Sequence, residues 1–162
     1  KIFSYIYLFI TIFSIIFFII FLLSSNLREL FTLIIITIWL FDTFSYLGGK
    51  SFKGKKIFPN VSKGKTYSGL VIGLISTVIP YYFAVNYFYS IEFISYYIFL
   101  IIAILSFMGD AIVSLLKRSA KLKDSGNLIP GHGGFLDRLD SFIFVFFVIE
   151  IYLFLIWIKK MF

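Results

Sequence analysis

IEFISYYIFLIIAILSFMGDAIVSLL, residues 91–116, decides the fold. A membrane barrel strand needs only about 9–11 residues and alternates apolar with polar. This run is more than twice that length and apolar on every face. Its Phe and Ile content suits strands by propensity, but length and the missing alternation predict a helix. About 20 mostly apolar residues carry a helix across the hydrocarbon core. The run is therefore read as a membrane-spanning helix. Asp110, near its end, marks where lipid gives way to water or to a protein-lined cavity.

Working outward, four more stretches have the same character: about 4–24, 29–49, 67–89 and 139–158. Of the 162 residues, 60% are hydrophobic and only 14% are charged, and mean hydropathy is +1.01. Soluble domains carry about 25% charged residues, so a water-facing surface cannot be built from this composition. The fold class expected is an all-α integral membrane protein of about five transmembrane helices with two cytoplasmic polar loops. A single membrane-embedded catalytic domain is expected over residues 1–162. The chain opens on Lys1 and runs into an apolar stretch too long for a signal peptide, which is read as an anchor. The absence of cysteine excludes disulfides, thiolate metal sites and Cys nucleophiles.

The polar residues are concentrated. Residues 50–66 hold six lysines and no acid, and residues 117–138 hold five more cations, so two loops carry eleven of the fifteen basic residues. Two spans separate the loops, which puts both on one side of the membrane. The bias of basic loops toward the cytoplasm assigns that side. The net charge of +7 is thereby explained without nucleic acid, and none is expected as a partner.

Acids within membrane segments cost about 2.5–3.5 kcal/mol at the centre on the insertion scale. Asp42, Asp110, Asp137 and Asp140 all fall toward the same end, beside the cations. Asp137 and Asp140, three apart, share a helical face. If the fourth helix runs on past Asp110, then Ser114, Lys117 or Arg118, and Lys121 follow on one face. Carboxylates that hold a divalent cation, with cations for the remaining oxygens, suit a polyphosphate. SKGKT, residues 62–66, resembles the end of a Walker A motif, but its first Gly is misplaced and no strand is expected, so a P-loop is rejected. What survives is Gly64 for close backbone approach and Lys63 and Lys65 for charge. His132, the lone histidine, excludes a His/Cys zinc site; a structural hydrogen bond and a catalytic role stay open. Glu150, midway along the last span, is expected to make an interhelical hydrogen bond. The residues alone describe a cytoplasm-facing cavity for one or two Mg²⁺ ions and phosphate. The reaction class is phosphoryl or nucleotidyl transfer to a lipid.

SLLKRSAKLKDSGNLIPGHGGFLDRLD, Ser114 to Asp140, resembles the signature of the phosphatidate cytidylyltransferase (CDP-diacylglycerol synthase) family. Every fixed position of that signature matches, with its spacing. DTFSYLGGKSFKGKKIFPNVSKGKTYSG also resembles the family, except that Ser68 stands where Glu is common and Phe44 where Gly is common. The resemblance implies a magnesium-dependent membrane enzyme that joins CTP to phosphatidic acid, releasing pyrophosphate. It implies that Asp110 and Asp137 hold metal. Lys117, Arg118, Lys123 and Arg138 match the cations that would hold phosphates. Asp124, His132 and Asp140 match polar catalytic positions. Ser62, Lys65 and Thr66 match the upstream block and Asp42 its leading acid, counted with Ser114 as substrate-binding. Family members are longer, so the chain is expected to be a carboxy-terminal catalytic part lacking amino-terminal helices. Mg²⁺ is the expected cofactor, with allowance for a second, monovalent cation and for a homodimer. The expected location is the inner cell membrane, multi-pass. The rivals weighed are a CTP-dependent polyprenol or phytol kinase and, of another class, an anion transporter or channel.

Overall fold

The computed structural model describes residues 9–16, 28–59, 61–87, 95–122 and 136–161, together with Tyr5 and Ile19. Residues 9–16 are helical (α1). Then follow α2 (Arg28–Phe52), β1 (Lys56–Phe58), β2 (Ser62–Thr66), α3 (Tyr67–Ser76), α4 (Val78–Tyr87), α5 (Tyr96–Ser119) and α6 (Leu136–Met161). Three stretches of the described chain are helical, long and apolar enough to cross a membrane: Arg28–Phe52, Tyr67–Tyr87 and Tyr96–Ser119. The last span expected from sequence is the 26-residue α6. The first lies mostly outside the described residues, with α1 inside it.

The third span is not one continuous helix. It breaks at Thr77, between α3 and α4. Pro80 is the physical reason: it has no N–H to bond the carbonyl of Ser76, and its ring crowds that carbonyl. Thr77 fills the gap, its backbone N–H bonding back into α3 and its hydroxyl donating to the Leu74 carbonyl at 2.7 Å.

The helices pack through small residues, as expected where lipid removes the hydrophobic drive for association. A Cβ on Gly69 would collide with the Ser45 carbonyl oxygen, so α3 crosses α2 at backbone contact. The core joins α2, α5 and α6 through Phe31, Ile34, Ile38, Ile102, Val145 and Phe146. Phe31 and Phe146 stack at 5.2 Å between ring centres. Outward-facing Trp39, Ile75, Ile101 and Leu155 are exposed, as side chains that face lipid would be.

Residues 56–66 correct a sequence expectation: SKGKT is a strand. β1 and β2 pair antiparallel, Lys56 opposite Thr66 and Phe58 opposite Ser62. Lys53, at φ 45°, turns the chain out of α2, and the Tyr67 N–H donates to the Lys55 carbonyl at 3.0 Å. The Gly-Lys-Thr lies within the strand rather than in a loop after it, so the rejection of a P-loop stands.

Candidate active site

The carboxylates meet where the carboxy-terminal parts of α2 and α5 face the start of α6. Gly109 makes the approach close: a Cβ there would lie 2.7 Å from Phe144 Cβ and 3.1 Å from the Asp140 carbonyl oxygen. The next residue is Asp110. Its Oδ1 accepts a 2.6 Å hydrogen bond from the Ser141 hydroxyl, and its Oδ2 lies 3.3 Å from Lys65 Nζ. Asp140 lies close to Asp110, and Lys117 is within electrostatic reach of Asp140. Asp42, on α2, accepts from the Ser106 hydroxyl at 3.1 Å and lies 3.2 Å from the Ser141 hydroxyl. Three of the four acids singled out from sequence thus converge across three helices.

Lys65 enters this group from β2. Its ammonium donates to the Phe107 carbonyl at 3.0 Å and sits 4.5 Å from the centre of the Phe107 ring. The strand explains the aim: successive side chains of β2 point to opposite faces, which turns Lys65 inward while Gly64 stays exposed. The lysine expected to meet phosphate directly is already engaged by a carboxylate, a carbonyl and a ring.

Thr66 has a structural role. Its hydroxyl caps α3, accepting from the Gly69 N–H at 3.1 Å, and the residue is buried. Ser68, the departure from the family pattern, receives the Gly54 N–H at 3.2 Å and so anchors the hairpin to α3. Ser62 is half-buried in β2, and Ser114 is half-buried one turn beyond Asp110 on α5. Arg118 ties the end of α5 to the hairpin turn, donating to the Val61 carbonyl at 3.3 Å and to the Leu122 carbonyl at 3.1 Å.

The predicted face running on to Lys121 is not formed. α5 ends at Ser119 with Ala120 as its cap, and Lys121 takes φ 58° outside the helix. The Lys121 N–H bonds instead to the Arg118 carbonyl at 3.0 Å. Glu150 is buried, and among the described residues its Oε2 has no hydrogen-bond partner. Lys123, Asp124 and His132 lie outside the described residues. Asp137 and Arg138 fall on the first turn of α6, with their side chains outside the description.

Sequence reasoning missed Ser106, Ser141 and the Phe107 carbonyl. Ser106 had a legible signal, standing four residues before Asp110 and therefore on the same helical face. Ser141 directly follows the matched signature. Nothing in the sequence marks a backbone carbonyl.

Asp110, Asp42 and Asp140 offer hard oxygen donors of the kind Mg²⁺ prefers. Among the described residues no group of three acids closes tightly enough to hold an ion unaided. Mg²⁺ is often bound through only one or two carboxylates, with water and substrate phosphate completing the shell.

The chain is similar to several known proteins. The phosphatidate cytidylyltransferase of Rickettsia typhi is 45% identical over 141 residues, covering 80% of this chain and 61% of that protein. The protein of that name from Bacillus subtilis is 42% identical over 114 residues, 68% of this chain and 42% of the other. The one from Thermotoga maritima is 39% identical over 120 residues, 70% of this chain and 44% of the other. The chain thus spans about three-fifths of the length of the Rickettsia relative. A model described as "Cytidylyltransferase family" matches residues 2–156. With nearly its whole length matched and three of its aspartates gathered in an apolar bundle, this chain belongs to the cytidylyltransferase family.

Proposed function

We propose that this chain is the catalytic part of an enzyme that transfers CMP from CTP to phosphatidic acid, yielding CDP-diacylglycerol and pyrophosphate for phospholipid synthesis. One observation carries the reading: Asp110 on α5 sits between Lys65 from the hairpin and Ser141 from α6, at the basic end of a lipid-facing helix bundle. The names of the relatives, all phosphatidate cytidylyltransferases, supply the substrates.

The chemistry follows from charge. Both substrates are polyanions, and their mutual repulsion grows in a low-dielectric setting. Lys65 and Lys117, with Lys123, Arg118 and Arg138 nearby in sequence, offset it. Asp110, together with Asp137 from the first turn of α6, would hold Mg²⁺. When bound, the ion would neutralise charge on the phosphate oxygens and orient them. A phosphatidate oxygen attacks the α-phosphorus of CTP in line; the new P–O bond forms as the α–β bridging bond breaks and pyrophosphate leaves. The attacking oxygen is already ionised at neutral pH, so the chain supplies position and electrostatics rather than a strong base. The site faces the cytoplasm of the cell membrane in this reading, as the basic loops support.

The test is direct. Membranes bearing the chain, or a longer parent, are given labelled CTP and phosphatidate with and without divalent metal. Metal-dependent labelled CDP-diacylglycerol is expected. Label transferred instead to an isoprenoid alcohol would replace this reading with the kinase.

A further inference from the structure

Ser141 touches all three aspartates. Its hydroxyl lies 2.6 Å from Asp110 Oδ1 and 3.2 Å from Asp42 Oδ2, while its backbone N–H donates to Asp140 Oδ1 at 3.0 Å. The residue is buried. A helical hydroxyl ordinarily bonds back to its own helix, as Thr37 does to the Leu33 carbonyl at 2.6 Å and Ser76 to the Gly73 carbonyl at 2.6 Å. Ser141 instead reaches across to two other helices.

A hydroxyl has one proton, so it cannot donate to both acids at once. The 2.6 Å contact is the length of a charge-assisted O–H···O⁻ bond, and the 3.2 Å contact is not. The proton therefore belongs to Asp110. That carboxylate is held at both oxygens: Oδ1 by Ser141 and Oδ2 by Lys65. Asp42, steadied by Ser106, backs the serine from the α2 side.

We propose that Ser141 is a positioning residue, whose hydroxyl fixes the Asp110 carboxylate between α5 and α6 in the orientation that binds divalent metal. This rests on the reading of Asp110 as a metal-holding group. Outer-shell partners of this kind typically change metal affinity or activity about 10- to 100-fold when removed. A serine serving only to glue helices together would lower thermal stability and leave metal affinity alone.

The test uses the whole chain purified in detergent micelles, with Mn²⁺ as the probe followed by electron paramagnetic resonance. Ser141→Ala is expected to weaken Mn²⁺ binding about 10-fold or more and to raise the metal concentration for half-maximal CDP-diacylglycerol synthesis. Ser141→Thr, which keeps the hydroxyl, restores both. Ser141→Cys, close in size but a weak donor, behaves like alanine and serves if the alanine variant does not fold. Wild-type Mn²⁺ affinity in folded Ser141→Ala or Ser141→Cys overturns the proposal. A wild-type chain that binds no Mn²⁺ overturns it together with the metal role of Asp110. If the wild type binds Mn²⁺ with the predicted serine dependence yet makes no CDP-diacylglycerol, the positioning role stands and the proposed reaction falls.

Discussion

Gly109→Ala tests whether the α5–α6 approach sets the chemistry. The added methyl would stand 2.7 Å from Phe144 Cβ, whereas ordinary contact begins near 3.4 Å, so the helices must part by about 0.7 Å. The obstacle is the root of a side chain, with the Asp140 carbonyl oxygen close behind at 3.1 Å. Neither swings away by a rotamer change. Overpacking of this kind costs about 1–3 kcal/mol. The larger effect falls on function, because the displaced backbone carries Asp140 and Ser141 away from Asp110. Misplacement by about 1 Å can cost about 100-fold in rate, and most of that loss is expected here. The assay is labelled CDP-diacylglycerol formed per mole of folded, membrane-extracted protein, with thermal unfolding measured alongside. Gly64→Ala is the stability control, since a Cβ there meets no heavy atom within 4 Å; its unfolding temperature should match wild type. A Gly109→Ala protein with wild-type specific activity would refute the reasoning, for the two helices would then not need to touch.

Lys65→Met should cost more than about 10-fold in turnover, because it strips the ion pair from Asp110 and the donor from the Phe107 carbonyl; Lys65→Arg should recover only part, as a planar fork does not replace a point charge. Steady-state rates on purified protein decide this. Thr66→Ala should lower stability by about 1 kcal/mol through loss of the α3 cap, and Thr66→Ser should restore it, as read by thermal unfolding. A cysteine in place of Lys55, exposed on the hairpin, should react with a membrane-impermeant thiol reagent only from the cytoplasmic side; labelling from outside would invert the proposed topology.

The apolar runs and the acids at their ends were legible in the sequence because both follow from composition. Lipid demands long, uniformly apolar helices, and a carboxylate in such a helix needs a polar neighbourhood. The convergence of Asp42, Asp110 and Asp140 followed from counting crossings. The hairpin was harder to read. Its strands are short and lysine-rich, and they pair where Lys53 turns the chain back and Gly54 bonds to Ser68. The break at Thr77 was written in Pro80, yet an apolar run overrides that signal when length alone is judged.

What the sequence determined by itself is the solvent, the class of fold and the family, since hydropathy, charge placement and motif spacing are local properties of the chain. Only the tertiary structure decided the partners. It gave Lys65 to Asp110 rather than to open solvent, committed Arg118 to backbone carbonyls, made Thr66 a cap and put Ser141 among three acids. Such pairings depend on where helices far apart in sequence cross, and the crossing is set by glycines whose importance is visible only once two backbones are seen to touch.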